Sequence, residues 1–546
     1  MPSILGAFLS VIPSPIYGAN VVNNNFLKAL LKHSSFDEIH LFYDSLSLIR
    51  AERGVKELIK LSEEFSKLRL KNIISLPASL REVDYLAFHS GNPFWGKVSP
   101  LTGKSAIPLT GTAHTISYHF ALNDLMFNLL NARPFDSIIC TSSSQKKALQ
   151  ELLELISEKF TMLGIEARYE GRLDLIPLGV DTSLYRPRDK FDARTQIELP
   201  QDKLIILWVG RFSAYDKADL FPLLVVFKKV AEKHPDMVLV LAGDDKHRYG
   251  DKVKTLAGEL GIADKVIFKL DPPVTSLPLL YSASDVFIAP SDSVQETFGL
   301  VVIEAMASGL PVVVSDWNGY KELVIHCEIG FKVPTYWARC DGMIRPVAPL
   351  TSWLVNHLYL AQSVCVDLGK MEEYLLALVE NPELRSRMGE KAREHAVANY
   401  DWKTIVKRYE ELWMELKEEA KRRGREVKRV VSFEPQYFRV FNHYPTEVLD
   451  EESQIKLTES GKKLLGGEGK TVEFYAEMRA LLDPSVMEEI VTKLGETDGW
   501  VKVGEVADKI RETHGVPSEI VIFQIMWMMK YGVLESKKRG VNQDGS

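Results

Sequence analysis

Cysteine is scarce in this 546-residue chain: Cys140, Cys327, Cys340 and Cys365 stand far apart, with no Cys-x-x-Cys pair and no His pair at ligand spacing. That spacing excludes a zinc knuckle and makes a reduced, cytoplasmic setting the expectation. Long apolar runs are missing as well. About 18 consecutive apolar residues would be needed to span a bilayer and none occur, so membrane contact is expected to be peripheral at most. The opening run from Ile4 to Ile12 has no Lys or Arg before it and no small-x-small cleavage site directly after it, so it reads as a buried first strand rather than a signal segment. Positive charge is not in excess either. Lys plus Arg number 67 against 74 Asp plus Glu, a net charge of −7, which leaves no global field to hold nucleic acid or anionic lipid. No repeat of solenoid period is present.

What remains is an ordinary globular composition, 46% hydrophobic and 26% charged, in a chain long enough for three or four domains. Through the first four hundred residues, short apolar runs alternate with longer amphipathic stretches, the pattern of βα units around a parallel sheet. It occurs twice. The first series contains the Ile4 strand, Ile39–Phe42, Tyr85–His89, Ile107–Gly111, Ser137–Thr141 and Leu173–Pro177. A charged linker, Arg188-Asp189-Lys190, precedes the second: Leu204–Val209, Met237–Leu241, Val266–Lys269, Val286–Ala289 and Pro311–Val314. The expectation is an α/β protein of two Rossmann-like, doubly wound domains facing a cleft, residues 1–190 and 191–400. Helix formers from Lys370 to Lys421, with Asp401 as a cap, predict closing helices, the last over 401–425.

Beyond the charged run Lys421–Arg425 the character changes, and 426–546 reads as an appended, mostly helical domain. Within it Val503–Thr513, a turn at Gly515, Ser518–Met529 and a short Val533–Ser536 strand make a winged-helix-like unit. Charges are balanced across residues 496–539, which argues against nucleic acid and for a protein contact. The segment around Tyr336–Val364 carries no pattern of its own.

The stretch Ser291-Asp292-Ser293-Val294-Gln295-Glu296-Thr297-Phe298-Gly299-Leu300, continuing through Glu304 to Pro311, is the most informative. It follows a strand, so Glu296 is placed at the strand's carboxyl end, where ligands bind in open α/β sheets, and Glu304 on the helix that follows. Two carboxylates with a close-approach glycine suit a polyhydroxylated ligand, because each can accept two hydroxyl hydrogen bonds. Amides at the helix start, Phe298 to Leu300, can meet a phosphate.

This stretch resembles the E-x7-E signature of retaining glycosyltransferases of the two-Rossmann GT-B fold, in particular the family-four group (glycosyl transferases group 1) that includes sucrose synthase. The resemblance covers roughly residues 1–420. Val209-Gly210-Arg211-Phe212 and Lys217 look like the family's strand-end Gly-Arg and following Lys, which hold the donor diphosphate; Ala218 stands where the family commonly has Gly. The physical need is compact positive charge just past a strand end. Ile176–Asp181 resembles the family's inter-domain turn, with Leu178 in place of Asn. Gly111-Thr112-Ala113-His114-Thr115 resembles the place of the family's histidine beside the transferring sugar, with His89 and His119 as weaker candidates. Gly18 stands in the position of the glycine-rich loop that approaches the donor phosphates, where two glycines are usual.

The resemblance implies a hexosyltransferase that moves a sugar from a nucleoside-diphosphate-sugar donor to the hydroxyl of a carbohydrate or lipid-linked acceptor, with retention. His114, Arg211, Lys217 and Glu296 are the expected catalytic residues. Gly18, Arg211, Lys217, Glu296, Phe298, Gly299, Leu300 and Glu304 are expected to bind the donor, Glu304 through the ribose and Glu296 through the sugar. No metal or other cofactor is expected, because the two cations neutralise the leaving diphosphate. A retaining sugar phosphorylase and a non-catalytic sugar-nucleotide-binding regulator are the alternatives. Donor base, sugar, acceptor and oligomeric state carry no pattern in the sequence.

Overall fold

The structure, a computed structural model, describes residues 3–11, 18–43, 65–102, 105–118, 121–246, 248–339, 341–423, 431, 436–465, 478, 481–497 and 499–537. His119, Cys340 and most of the predicted loop before Gly18 lie outside the described residues. Contacts divide the chain into two units. The larger comprises Met1–Tyr43, Arg50–Lys71 and Ser75–Ser432, and the smaller comprises Asp44–Ile49, Asn72–Ile74 and Phe433–Ser546.

The larger unit holds two open sheets. In the first, β1 (Ile4–Phe8), β2 (Glu38–Tyr43), β3 (Leu68–Asn72), β4 (Ala87–Ser90), β5 (Leu109–Thr112), β6 (Ser137–Cys140) and β7 (Arg172–Leu175) are ordered 3-2-1-4-5-6-7. In the second, β8 (Leu204–Val209), β9 (Met237–Gly243), β10 (Val266–Leu270), β11 (Val286–Ala289), β12 (Val312–Ser315) and β13 (Gly330–Val333) are ordered 10-9-8-11-12-13. Both orders reverse direction beside the first strand, the doubly wound arrangement.

Apolar strands form here because both faces are covered. Along β8, Ile205, Leu207 and Val209 enter one core cluster while Ile206 and Trp208 enter another on the opposite face. Burying each such side chain contributes roughly 1.5–3 kcal/mol. The predicted strands fall where the apolar runs lie. Two strands carry no such run: β3, Leu-Arg-Leu-Lys-Asn, is a polar edge strand, and β13 is a four-residue strand beginning at Gly330, where a Cβ would meet the Val312 carbonyl oxygen at 2.2 Å.

The helix Trp402–Arg423 follows the second sheet in sequence but packs on the first domain. Trp402, Ile405, Val406, Tyr409, Leu412, Trp413 and Leu416 make its buried stripe, joining Phe26, Leu27 and Leu30 of the Gly18–His33 helix in one cluster. Polar contacts fix its register: Tyr409 Oη lies 2.8 Å from Thr112 Oγ1, and Trp413 Nε1 donates to Thr110 Oγ1 at 3.0 Å. The chain past this helix is still tied to the larger unit at Val431, whose N–H and C=O bond the Asn131 side chain at 2.8 Å each.

Residues 335–366, unpatterned in sequence, form an excursion between β13 and the Leu368–Glu380 helix. Strands β14 (Thr335–Trp337) and β15 (Val364–Val366) pair antiparallel, and the helices Asp341–Ile344 and Trp353–Ala361 lie between them.

The smaller unit has its own core, which includes Val486, Ile490, Val506, Ile510, Val521 and Ile525 from the helices Pro484–Gly495, Val503–His514 and Ser518–Lys530. Gly515, at φ +67°, makes the left-handed turn between the last two. An antiparallel sheet of β17 (Val501–Lys502), β16 (Gln454–Leu457) and β18 (Leu534–Ser536) accompanies them. Strands β16 and β17 lie where the sequence predicts no strand, because runs of two to four residues, even one that alternates as Gln-Ile-Lys-Leu does, are too short to signal a strand and depend on pairing. Among the described residues no helix is long and apolar enough to cross a membrane.

Candidate active site

Strands β8 and β11 are neighbours whose successors run to opposite edges of the second sheet, so the loops at their carboxyl ends flank a crevice. The loop after β8 carries Arg211 and Lys217, and that after β11 carries Glu296. They meet there. Arg211 Nη1 donates to Asp216 Oδ2 at 2.6 Å, and Lys217 Nζ donates to Glu296 Oε2 at 2.6 Å. All four side chains are largely buried, from 2% exposed for Asp216 to 18% for Lys217. Each cation therefore has its counter-charge beside it, which offsets the cost of leaving water. Strand ends cross closely beneath them. Gly243 holds φ +145°, and a Cβ there would come within 1.8 Å of the Gly210 carbonyl oxygen, so only glycine fits.

Glu296 accepts a second hydrogen bond from Tyr320 Oη at 3.2 Å. The same tyrosine ring sits under Gly299, whose φ of +115° and lack of Cβ, with the ring edge 2.4 Å from where one would be, allow the chain to turn into the Leu300–Ala307 helix. No side chain caps that helix start. Phe298 turns its ring into the core, edge-on to Tyr400, so its backbone amide is what it can offer a ligand. Glu304, one helical turn on, accepts from Tyr281 Oη at 2.9 Å. Desolvation pushes its carboxyl up to about 7, while the Tyr281 and Tyr185 hydroxyls and the Lys217 charge pull the other way.

The first domain meets this loop with neutral groups. Thr297 is held at both ends: its hydroxyl donates to the His114 carbonyl oxygen, and its own carbonyl accepts from Ser142 Oγ, each at 2.8 Å. Gln295 Nε2 donates to Tyr118 Oη at 2.8 Å. Glu322 accepts from the Ser143 and Ser144 amides at 2.8 and 2.9 Å, an anion at the start of the Ser143–Met162 helix.

His114 follows β5 directly. Burial holds its imidazole down at about 4, only partly offset by a hydrogen bond to the Gly91 backbone, and Nε2 has no partner. His114 is therefore neutral around pH 7, with Nε2 open to a ligand. His89 is different. It is fully buried, with Nδ1 3.0 Å from Thr110 Oγ1 and its ring against Phe26, Tyr409 and Trp413, a packing residue behind the site. Gly18 begins the Gly18–His33 helix, and the segment before it, 12–17, is outside the described residues.

Sequence reasoning misses the partners. Asp216 orients Arg211, Tyr320 orients Glu296, and Tyr281 and Tyr185 orient Glu304; Arg211-x4-Asp216 within one loop is the only one of these pairings that sequence spacing suggests. Asp292 lies in the motif, but nothing in the sequence gives it a role. Desolvation, then the Asp219 charge, pushes it up to about 7, and one of its oxygens is unpartnered.

Comparison with known proteins shows what parts of the chain are similar to. Residues 189–340 match the family model described as glycosyl transferases group 1. A D-inositol 3-phosphate glycosyltransferase of Mycobacteroides abscessus is 30% identical over 264 residues, 46% of this chain and 56% of that protein. Its counterpart in Acidothermus cellulolyticus is 34% identical over 172 residues, 30% and 37% of the two chains. The chain thus spans about half the length of the curated relatives it matches. In fold it resembles sucrose-phosphate synthase from Thermosynechococcus elongatus, with TM-score 0.50 and 22% identity over 76% of this chain and 99% of that one. It also resembles Anabaena Alr3699/HepE, solved in complex with UDP, with TM-score 0.53 and 18% identity over 75% and 98%. The fold is GT-B, two Rossmann-like domains with a further C-terminal region. Arg211, Lys217, Glu296 and Glu304 all lie in the segment, residues 189–340, that is similar to the glycosyl transferases group 1 family.

Proposed function

We propose that the protein is a retaining glycosyltransferase that moves a sugar from a nucleoside-diphosphate donor to an acceptor hydroxyl. The observation that carries this reading is the pair of mutually neutralised ion pairs, Arg211–Asp216 and Lys217–Glu296, at the crevice beside the uncapped Leu300–Ala307 helix. A simple anion would take the cations and strand the carboxylates. A ligand that brings a diphosphate and sugar hydroxyls together satisfies both halves: the diphosphate draws on Lys217 and Arg211, and Glu296 turns to the hydroxyls.

In this reading the ribose hydroxyls lie at Glu304 and the diphosphate at Arg211, Lys217 and the helix-start amides. The anomeric carbon–oxygen bond breaks as charge grows on the departing diphosphate, which the cations stabilise through an oxocarbenium-like state. The acceptor oxygen bonds the anomeric carbon from the same face, and its proton passes to a diphosphate oxygen, so no covalent enzyme intermediate is needed. His114 Nε2 accepts a sugar hydroxyl and orders the reacting groups. Because cationic side chains supply the neutralising charge, transfer does not require a divalent ion.

The test is turnover of a panel of labelled nucleoside-diphosphate sugars with and without excess chelator, with the product anomer read by NMR. Retained configuration and chelator resistance are expected. An inverted product, or loss of transfer restored by magnesium, overturns the corresponding part. Release of sugar phosphate from product and inorganic phosphate would identify a phosphorylase instead.

A further inference from the structure

The polar atoms left without partners in the buried interior are not scattered. His114 Nε2, Ser117 Oγ, Asp216 Oδ1, Gln295 Oε1 and both ring nitrogens of His357 are among them. They belong to neighbouring groups. Gln295 bonds Tyr118, the Tyr118 ring lies 4.9 Å from Trp353 and 5.0 Å from His357, and the His357 imidazole is acted on by the Ser117 backbone and the Asp216 charge. One face of this cluster belongs to the first domain, one to the loops of the donor site, and the third to the Trp353–Ala361 helix of the 335–366 excursion.

Two contacts, one at the end of this helix and one from β14, hold the excursion against the loops of the site. Gln362, at its end, donates to Asp219 Oδ2 at 3.0 Å, on the loop that carries Lys217, and Trp317 Nε1 donates to the Ser293 carbonyl while its ring meets Trp337 of β14 at 5.5 Å. His357 is 2% exposed, and apart from the pull of the Ser117 backbone its ring nitrogens have no hydrogen-bond partner. A buried polar group without a partner is destabilising, and several at one contact make that contact weak unless something supplies the missing bonds. Sugar or polyol hydroxyls, which both donate and accept, match such a mixed set. No cation among the described residues of this contact lacks a carboxylate partner, since Arg211 and Lys217 are already paired.

We infer that the 335–366 excursion is a lid on the acceptor side of the cleft, and that His357, with Trp353 and Tyr118 as walls, receives a hydroxyl of a sugar or polyol acceptor when the lid is closed. The inference rests on the glycosyltransferase reading and deepens it. Closing the lid over donor and acceptor would also exclude water from the anomeric carbon.

The test compares the wild type with His357→Ala, Trp353→Ala and, as a control on the lid's outer surface, Leu350→Ala, which alters a residue 85% exposed. Binding of free UDP is measured by calorimetry, and transfer is measured to glycerol, glucose and myo-inositol beside their phosphate esters. Hydrolysis of the donor by water is followed in parallel. His357→Ala is expected to raise acceptor KM about 3- to 10-fold, by the same factor for free and phosphorylated acceptors, with UDP affinity within about twofold of wild type. Trp353→Ala is expected to raise donor hydrolysis relative to transfer, and Leu350→Ala to do neither. Equal weakening of UDP and acceptor, an effect confined to phosphate esters, or unchanged acceptor KM and hydrolysis overturns the lid while leaving the parent reading intact. A wild type that binds no nucleoside diphosphate and turns over no donor defeats both.

Discussion

The two α/β domains wind their strands in the same order about their switch points, yet they present opposite chemistry to the cleft. The second brings charge, in cation–carboxylate pairs already neutralised and buried: Arg211 with Asp216 and Lys217 with Glu296. The first brings neutral donors and acceptors, His114, Ser142 and Tyr118, three of whose contacts grip a single loop of its neighbour. One fold used twice thus differs in what it brings to the cleft: paired charges on one side, and on the other neutral hydrogen-bonding groups that hold a loop of the charged side.

Removing charge from the second domain should break this division most severely. Lys217→Ala takes a cation from the departing diphosphate and leaves Glu296 buried without its counter-charge, so kcat is expected to fall about 100- to 1,000-fold, more than binding of free nucleoside diphosphate weakens. Steady-state kinetics with calorimetry separate the two. Equal losses would mean that the cation acts in ground-state binding alone.

The next effect sharpens the difference between the two carboxylates. Glu304→Gln is expected to weaken binding of free nucleoside diphosphate by about 1.5–3 kcal/mol, and Glu296→Gln to spare it. Because burial holds Glu304 up at about 7, its charge is only fully present above that pH, so the Glu304→Gln loss should shrink as pH falls to 6. Titrations at pH 6 and 8 check both statements.

Asp292 offers a stability effect on the charged side. Its folded value of about 7 lies above the ordinary 3.8, so between those values the folded state keeps a proton that the unfolded state releases, and stability declines as pH rises through this window. Asp292→Asn should remove its share of that decline, gaining up to about 4 kcal/mol at pH 8 and almost nothing at pH 4, by chemical denaturation. His114, held down at about 4, acts with the opposite sign: the folded state binds fewer protons than the unfolded between 4 and 6.5, so its share of stability is lost as pH falls through that range. His114→Asn should therefore flatten the acid side of the profile.

The smallest effect is expected from the appended unit. A chain ending at Ser432, which keeps the Val431 bonds to Asn131, should bind free nucleoside diphosphate as the full chain does. Loss of binding in a folded truncation would place the donor site partly outside the two domains.

Much of the architecture is legible in the residues themselves. Leu204–Val209 and Val286–Ala289 are strands in sequence and in space, because a strand buried on both faces must be apolar throughout. The motif from Ser291 to Pro311 is legible because its two carboxylates and its glycine stand at fixed offsets from a strand end. Edge and pairing-dependent strands such as Leu68–Asn72 and Gln454–Leu457 are not, since their stability comes from a neighbour that the local sequence does not contain.

The sequence by itself thus determined the two-sheet architecture, the placement of Arg211, Lys217 and Glu296 in strand-end loops and of Glu304 on the helix that follows, and the amphipathic stripe of the Trp402–Arg423 helix, all properties of local period and spacing. Only the tertiary structure decided which carboxylate each cation faces, that the stripe from Trp402 to Leu416 returns to the first domain, and that the unpatterned residues between Thr335 and Val366 bring His357 against Tyr118. The physical reason is range. Periodicity records which face of an element is buried, but what covers that face, and which buried polar atom finds a partner, depends on residues hundreds of positions away.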